Sequence, residues 1–214
     1  MKEKIIIQPE GNFYDKYHSG NIIVRKLMEG FFNSYKRLLS EIKTNIHSCL
    51  EGGVGEGEIA EFVYDYLGIK VEGFDISKQV IDEANTRLSG KDIHLWTGNI
   101  YDLQNTQKYD LVICSEVLEH LEHPEKAVAQ LKKASEKYLI FSVPRERLWC
   151  FLNLCRGKYI KAFGNTPGHI QHWNKKSFVR FLRNNGLKIV RIESPVPWIV
   201  VLAEVDNTNS REKH

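Results

Sequence analysis

The run Leu50-Glu51-Gly52-Gly53-Val54-Gly55-Glu56-Gly57 follows a short apolar stretch and opens an amphipathic helix. Glycines at alternate positions, Gly53, Gly55 and Gly57, let the backbone turn sharply and let a ligand lie directly against it. At the first strand-to-helix turn of a parallel sheet, this arrangement suits a nucleotide-like cofactor. A dinucleotide fingerprint, G-x-G-x-x-G, would need its third glycine where the chain has Glu58; the chain reads G-x-G-x-G instead. Taken alone, the triplet fits a plain tight turn equally well.

The charges around the loop narrow the ligand. Glu51, Glu56 and Glu58 lie in or beside it. A helix N-terminus attracts anions, so a diphosphate would gain from the helix dipole, and three carboxylates would oppose that gain. They favour a ligand carrying positive charge, such as the sulfonium and ammonium of S-adenosylmethionine.

Working outward, strands and helices alternate. Apolar positions from Val24 to Ile42 recur with helical period over residues 21–43, an amphipathic helix laid on a sheet. Strands are expected at 46–50, 69–75, 93–97, 109–115 and 138–143, and helices at 58–67, after Ser77, after Pro124 and at 174–185. Leu187 to Glu193 and Trp198 to Ala203 read as a hairpin around Pro195 and Pro197. The expected fold class is α/β, a Rossmann-like, doubly wound, mostly parallel seven-stranded sheet with a C-terminal antiparallel hairpin. Residues 1–205 are expected to form a single domain, with 1–44 as an N-terminal helical cover, 144–173 as an insertion on the acceptor side, and 206–214 as a disordered tail.

Length and composition set bounds. The chain has 214 residues, 42% hydrophobic and 27% charged, with net charge +3. That suits one soluble domain with a sizeable core. The small net charge argues against nucleic acid as a partner. No apolar run reaches membrane-spanning length, and the N-terminus lacks the apolar stretch of a secretory signal. Cys49, Cys114, Cys150 and Cys155 have no metal-knuckle or C-x-x-C spacing, which suits reduced thiols in a cytoplasmic protein.

In a doubly wound sheet the ligand-binding residues lie just past the carboxyl ends of the strands. Asp75 ends the second strand, 18 residues after Gly57, where an acid can accept from two ribose hydroxyls; it can also serve the turn. After the third strand, the Asn99 carbonyl can accept from an adenine amino group while Ile100 or Ile76 packs on the ring; Asn99 fits a turn as well. Ser115 ends the fourth strand, whose backbone should line the cofactor cleft. Glu116, Glu119 and His120 follow it at spacings that would place them on one helical face.

These segments together resemble the class I S-adenosylmethionine-dependent methyltransferases, in particular their small-molecule, methyltransferase type 11-like branch. Glu51 to Gly57 looks like the first motif of that family and Gly73-Phe74-Asp75-Ile76-Ser77 like its second-strand acid. Gly98-Asn99-Ile100-Tyr101-Asp102-Leu103 looks like its adenine motif, with Asn99 where Asp is usual. Tyr109 to Leu121 looks like its fourth motif. The resemblance covers about residues 45 to 145. It implies a methyl transferase whose cofactor is held by Glu51, Gly53, Gly55, Gly57, Asp75, Ile76, Asn99, Ile100 and Ser115.

The acceptor side is less defined. Residues 144–173 mix cations and aromatics, including Arg145, Arg147, Trp149, Lys158, Tyr159 and Trp173, which suits an acidic or aromatic small molecule; a solvated helix packed on the sheet would carry the same residues. Tyr14 and Tyr17 could cover the cofactor from the N-terminal side. His120 and His169 are the candidate general bases, since imidazole titrates near neutral pH. Glu116, Glu119 and His120, with His169 or His172, also resemble the divalent-metal site of RNA 3′-end 2′-O-methyltransferases and of ubiquinone-pathway O-methyltransferases. The favoured reading has no metal. The alternatives are a metal-assisted RNA 2′-O-methyltransferase and a non-catalytic subunit of the same fold that binds a partner. Neither the acceptor nor the oligomeric state is legible.

Overall fold

The computed structural model describes residues 21–103, 107–145, 148 and 170–205. Seven strands form one sheet: β1 (Ser48–Gly52), β2 (Lys70–Asp75), β3 (Ile93–Thr97), β4 (Tyr109–Ser115), β5 (Ser135–Pro144), β6 (Leu187–Glu193) and β7 (Trp198–Val205). Their order is β3-β2-β1-β4-β5-β7-β6. The first five are parallel, and β7 runs antiparallel to both β5 and β6. The chain winds outward to one side through β1, β2 and β3, then restarts at β4 beside β1. The carboxyl ends of β1 and β4 therefore flank the switch point, the place where sheets of this kind bind their ligands.

Helices α1 (Ile22–Ile42), α2 (Glu58–Leu67) and α3 (Lys78–Arg87) pack on one face, and α4 (Pro124–Ala134) and α5 (Lys175–Asn184) on the other. Alternation along each strand feeds the two layers. Cys49, Leu111, Ile113 and Ile140 point to the first face, and Leu50, Val112, Leu139 and Phe141 to the second. The expected caps form. Ser77 accepts from Val80 N at the start of α3, Pro124 opens α4, and Asn174 and Ser177 close a capping box on α5.

Several strand boundaries differ from the sequence reading, those of β1 and β5 most. β1 begins and ends two residues later, so Glu51 and Gly52 pair with Gly73 and Phe74, and Glu51 also pairs with Ile113 of β4. Glu51 is thus a strand residue under α2, not part of the turn. β5 starts at Ser135, directly after α4. Cys49 and Cys114 are buried free thiols, and burial pushes both up. No helix among the described residues is long and apolar enough to cross a membrane. The expected tail 206–214 and most of the 144–173 insertion lie outside the described residues.

Candidate active site

The loop between β1 and α2 is built from glycines that do different work. Gly53 has φ +76°, and a Cβ there would stand 2.3 Å from Val117 Cγ2. The segment after β4 therefore packs against the loop closely enough that only glycine fits. Gly55 has φ +52° with nothing within 4 Å of an added Cβ, so its outer face is open. Gly53 N and Val54 N donate to Phe74 O at 2.8 and 3.0 Å, tying the loop to β2.

Asp75 braces this loop. Its carboxylate accepts from Gly55 N at 3.1 Å and from Ser77 N at 2.9 Å. The turn role and a hydroxyl-binding role are compatible, because each carboxylate oxygen retains a further lone pair.

Glu51 is 2% exposed. It accepts a hydrogen bond from Ala60 N, in the first turn of α2, where Gly57 supplies no side-chain cap. Its Oε2 has no hydrogen-bond partner in the structure. Burial, and then the nearby Asp75 charge, push the Glu51 carboxyl well above the ordinary carboxylate range. The folded carboxyl thus keeps its proton to higher pH than the unfolded one. The folded state binds more protons, and stability falls as pH rises from the ordinary carboxylate range towards the raised value. Glu51→Gln keeps the acceptor for Ala60 N and removes this loss. It is expected to stabilise the ligand-free protein at about pH 8 by about 1–3 kcal/mol, or some 2–4 °C in Tm per kcal/mol. Melting curves against pH test it; equal slopes for variant and wild type would contradict the assignment.

The acidic loop is smaller than the sequence suggested. Glu58 forms an ion pair with Arg87 of α3 at 3.2 Å, and Arg87 also holds Glu61 and the Glu56 carbonyl. An acid committed to an arginine on the far helix contributes little field at the loop. Glu51, Glu56 and Asp75 remain as the carboxylates in or beside the loop.

Beyond β3, the expected ring contacts divide. Ile76 is 43% exposed at the rim, whereas Ile100 is buried with Leu50 and Phe74 in the core. Ile76 is therefore the apolar side chain available to a ligand. Asn99 is exposed, and its Oδ1 accepts from Tyr101 N at 2.9 Å, closing an Asx turn.

Beyond β4, the shared helical face does not form. Glu116 has φ +55°, which breaks any helix at its first residue, and only Leu118–His120 makes a single 3-10 turn. Glu116 Oε1 accepts from the indole of Trp198 on β7. Glu119 is buried, and its carbonyl accepts from Ile170 N and Gln171 N. His120 is exposed. No group of three or more His, Cys, Asp or Glu gathers around a point among the described residues. His169 lies outside the described residues; His172 is exposed.

Ser115 Oγ is buried and hydrogen-bonded to Tyr35 of α1 at 2.8 Å and to Ser142 of β5. Glu51 and Ser115 are the last residues of their strands on the α1 face, and Ser142 sits beside Ser115 in register on β5. Tyr35 is fully buried, and burial raises its hydroxyl far above the ordinary range. Neither Tyr35 nor Trp198 stood out in the sequence, since both occupy regular apolar positions of their elements and only their polar tips act here. Of the acceptor-side residues, Arg145 is spent on the hairpin, donating to the Ser194 and Trp198 carbonyls, and Trp173 is core, packed on Phe178 and Phe181. Tyr14, Tyr17, Arg147, Trp149, Lys158 and Tyr159 lie outside the described residues.

Comparison with known proteins adds the chemistry. Residues 24–192 match a family model described as a methyltransferase domain. A ubiquinone biosynthesis O-methyltransferase of Rickettsia bellii is 25% identical over 170 residues, spanning 73% of this chain and 70% of that protein. One from Azoarcus sp. is 24% identical over 173 residues, spanning 75% and 74%. The magnesium protoporphyrin IX methyltransferase of Synechocystis PCC 6803, solved with bound S-adenosylhomocysteine, superposes with TM-score 0.65 at 21% identity, covering 88% of this chain and 90% of that one. A methyltransferase of Aquifex aeolicus superposes with TM-score 0.63 at 16% identity, covering 79% and 88%.

Proposed function

The chain belongs to the methyltransferase domain family, within the class I S-adenosylmethionine-dependent methyltransferases, and from that premise we propose that it methylates an oxygen or nitrogen of a small organic acceptor. The observation that carries the reading is the arrangement past the carboxyl ends of β1 and β2: Gly55 with nothing within 4 Å of an added Cβ, Asp75 bonded to Gly55 N, and a buried Glu51 oxygen without a partner. The residues present fit S-adenosylmethionine. Asp75 would accept from the ribose hydroxyls, Ile76 would pack on the adenine ring, and the two carboxylates would favour the cationic methionine end. The bound cofactor supplies a methyl carbon on sulfonium; the acceptor's lone pair bonds to it as the carbon–sulfur bond breaks onto sulfur.

The protein's share is mainly alignment in a crevice that excludes water. His120, on the turn that follows Val117, would take the acceptor proton; its exposure lets it pass that proton to solvent. His169 is the second candidate base. The relatives named as ubiquinone O-methyltransferases favour oxygen as the methylated atom and no nucleic acid partner. Residues 1–205 are read as one such domain.

Calorimetry with S-adenosylmethionine, S-adenosylhomocysteine and NAD tests the cofactor. The first two are expected to bind and NAD is not; tight NAD binding would sink the reading. Asp75→Ala is expected to weaken S-adenosylhomocysteine about tenfold or more, since each hydrogen bond to a charged acceptor contributes on the order of 1.5–3 kcal/mol. Asp75→Asn is the companion variant: it removes the charge and leaves one acceptor oxygen, so only one of the bonds from Gly55 N and Ser77 N can survive. Unchanged affinity in both variants, with the fold intact, would refute the ribose role.

A further inference from the structure

Among the described residues, Glu116 alone carries a side chain on a left-handed backbone, at φ +55°. Such a backbone crowds a Cβ, so a glutamate keeps it only where its surroundings hold it there. The turn it belongs to follows β4 directly, at the switch point, and its residues are held by different parts of the fold. Ser115 Oγ is bonded to Tyr35 of α1 at 2.8 Å. Glu116 N donates to Ser142 O of β5 at 3.0 Å. The Glu116 carboxylate accepts from the Trp198 indole at the start of β7. Val117 then lies against Gly53, its side chain filling the space that a Cβ there would need. The Val117 carbonyl accepts from His120 N at 3.0 Å, so the turn carrying His120 hangs from the same residue.

The tie from β7 acts on the strained residue's side chain. Trp198 is 2% exposed, its ring lies 5.0 Å from that of Phe31, and the indole N–H is its single polar side-chain group. A phenylalanine would serve the packing on Phe31. The N–H reaches a carboxylate instead, and a bond to a charged acceptor is stronger than one between neutral groups. Without that bond, Glu116 would gain by returning to an ordinary backbone conformation. Val117 is the next residue, so the change would swing it away from Gly53 and open the inner wall of the glycine loop. The strain thus sits one residue from the contact with the loop, and its restraint lies 82 residues further along the chain.

We propose that Trp198 is a positioning residue for the cofactor: its indole holds Glu116 in the left-handed conformation that seats Val117 against Gly53. The inference rests on the reading that this glycine loop binds S-adenosylhomocysteine.

Calorimetric titration of the full-length protein and four variants with S-adenosylhomocysteine tests it. Trp198→Phe keeps a ring on Phe31 and removes the N–H. Glu116→Ala breaks the same bond from its other end and leaves a Cβ on the left-handed backbone. Each is expected to weaken S-adenosylhomocysteine about fivefold or more. Glu116→Gly loses the same side chain but adopts the conformation unaided, and should bind within about twofold of wild type. Adding Trp198→Phe to Glu116→Gly should lose no further affinity, since nothing remains for the indole to hold. The comparison of alanine with glycine leaves the buried ring untouched, so it decides the matter even if Trp198→Phe folds poorly. Equal losses in those two variants would mean that the carboxylate acts on the ligand itself and would overturn the proposal. A further loss in the double variant would reduce Trp198 to packing, and wild-type affinity in a folded Trp198→Phe would refute the hold outright. In ¹⁵N spectra of the ligand-free protein, the Gly53 amide should move in Trp198→Phe and Glu116→Ala and stay near its wild-type position in Glu116→Gly. If wild type itself fails to bind S-adenosylhomocysteine, the cofactor reading falls, and the Gly53 amide still decides whether the indole holds the turn.

Discussion

Gly55→Val is expected to abolish binding of S-adenosylmethionine, a loss of at least about a hundredfold, while the protein stays folded. Two effects act together at this position. The backbone is in the left-handed region, at φ +52°, which costs a β-branched residue about 1–3 kcal/mol. The added side chain also points into open space above the loop, where the cofactor would lie. Gly55 therefore differs from Gly53, where a Cβ would strike Val117 and disturb packing first. Circular dichroism and calorimetry on Gly55→Ala and Gly55→Val separate the two effects. Alanine should show the strain with a partial loss of binding, valine the full loss. Unaltered affinity in the valine variant would place the cofactor somewhere other than this loop.

His120→Ala is expected to lower turnover by roughly 10²-fold with cofactor affinity nearly unchanged, the pattern of a group that acts in the transition state. Activity is expected to survive chelation, since Glu116, Glu119 and His120 do not converge: Glu116 is turned to Trp198, Glu119 is buried and His120 is at the surface. The measurement is single-turnover methyl transfer to an acceptor found by screening hydroxylated and amino small molecules, with and without chelator. Full activity in His120→Ala under both conditions would make it a structural residue. Loss of activity on chelation, restored by Mg²⁺ or Mn²⁺, would make these residues ligands after rearrangement and move the metal-assisted reading to first place.

Glu51 shows how the site and the stability of the fold oppose each other. Ionising this buried carboxyl costs the ligand-free protein stability as pH rises, a cost that a neutral glutamine avoids. The same carboxylate is what would draw a cation into the crevice. Glu51→Gln is thus expected to melt higher and to bind S-adenosylmethionine more weakly, the trade common at functional sites.

Periodicity and punctuation were enough for the elements and their order. Alternating apolar runs, Ser77, Pro124 and the glycines after helices are local signals, and the strands at 93–97, 109–115 and 187–193 fall where those signals put them. The glycine turn after β1 and the acid that ends β2 were legible for the same reason: both are properties of a few adjacent residues. What each charge does was not legible. Glu58 looked like part of the ligand field and belongs to Arg87; Glu116 looked like a helix residue and bonds Trp198, 82 residues away. Tyr35 reaches Ser115 across 80 residues. Such partners meet because the sheet brings the carboxyl ends of β4 and β5 and the amino end of β7 together at one rim. Spacing along the chain carries no record of that meeting, since electrostatics and hydrogen bonding act through distance in space.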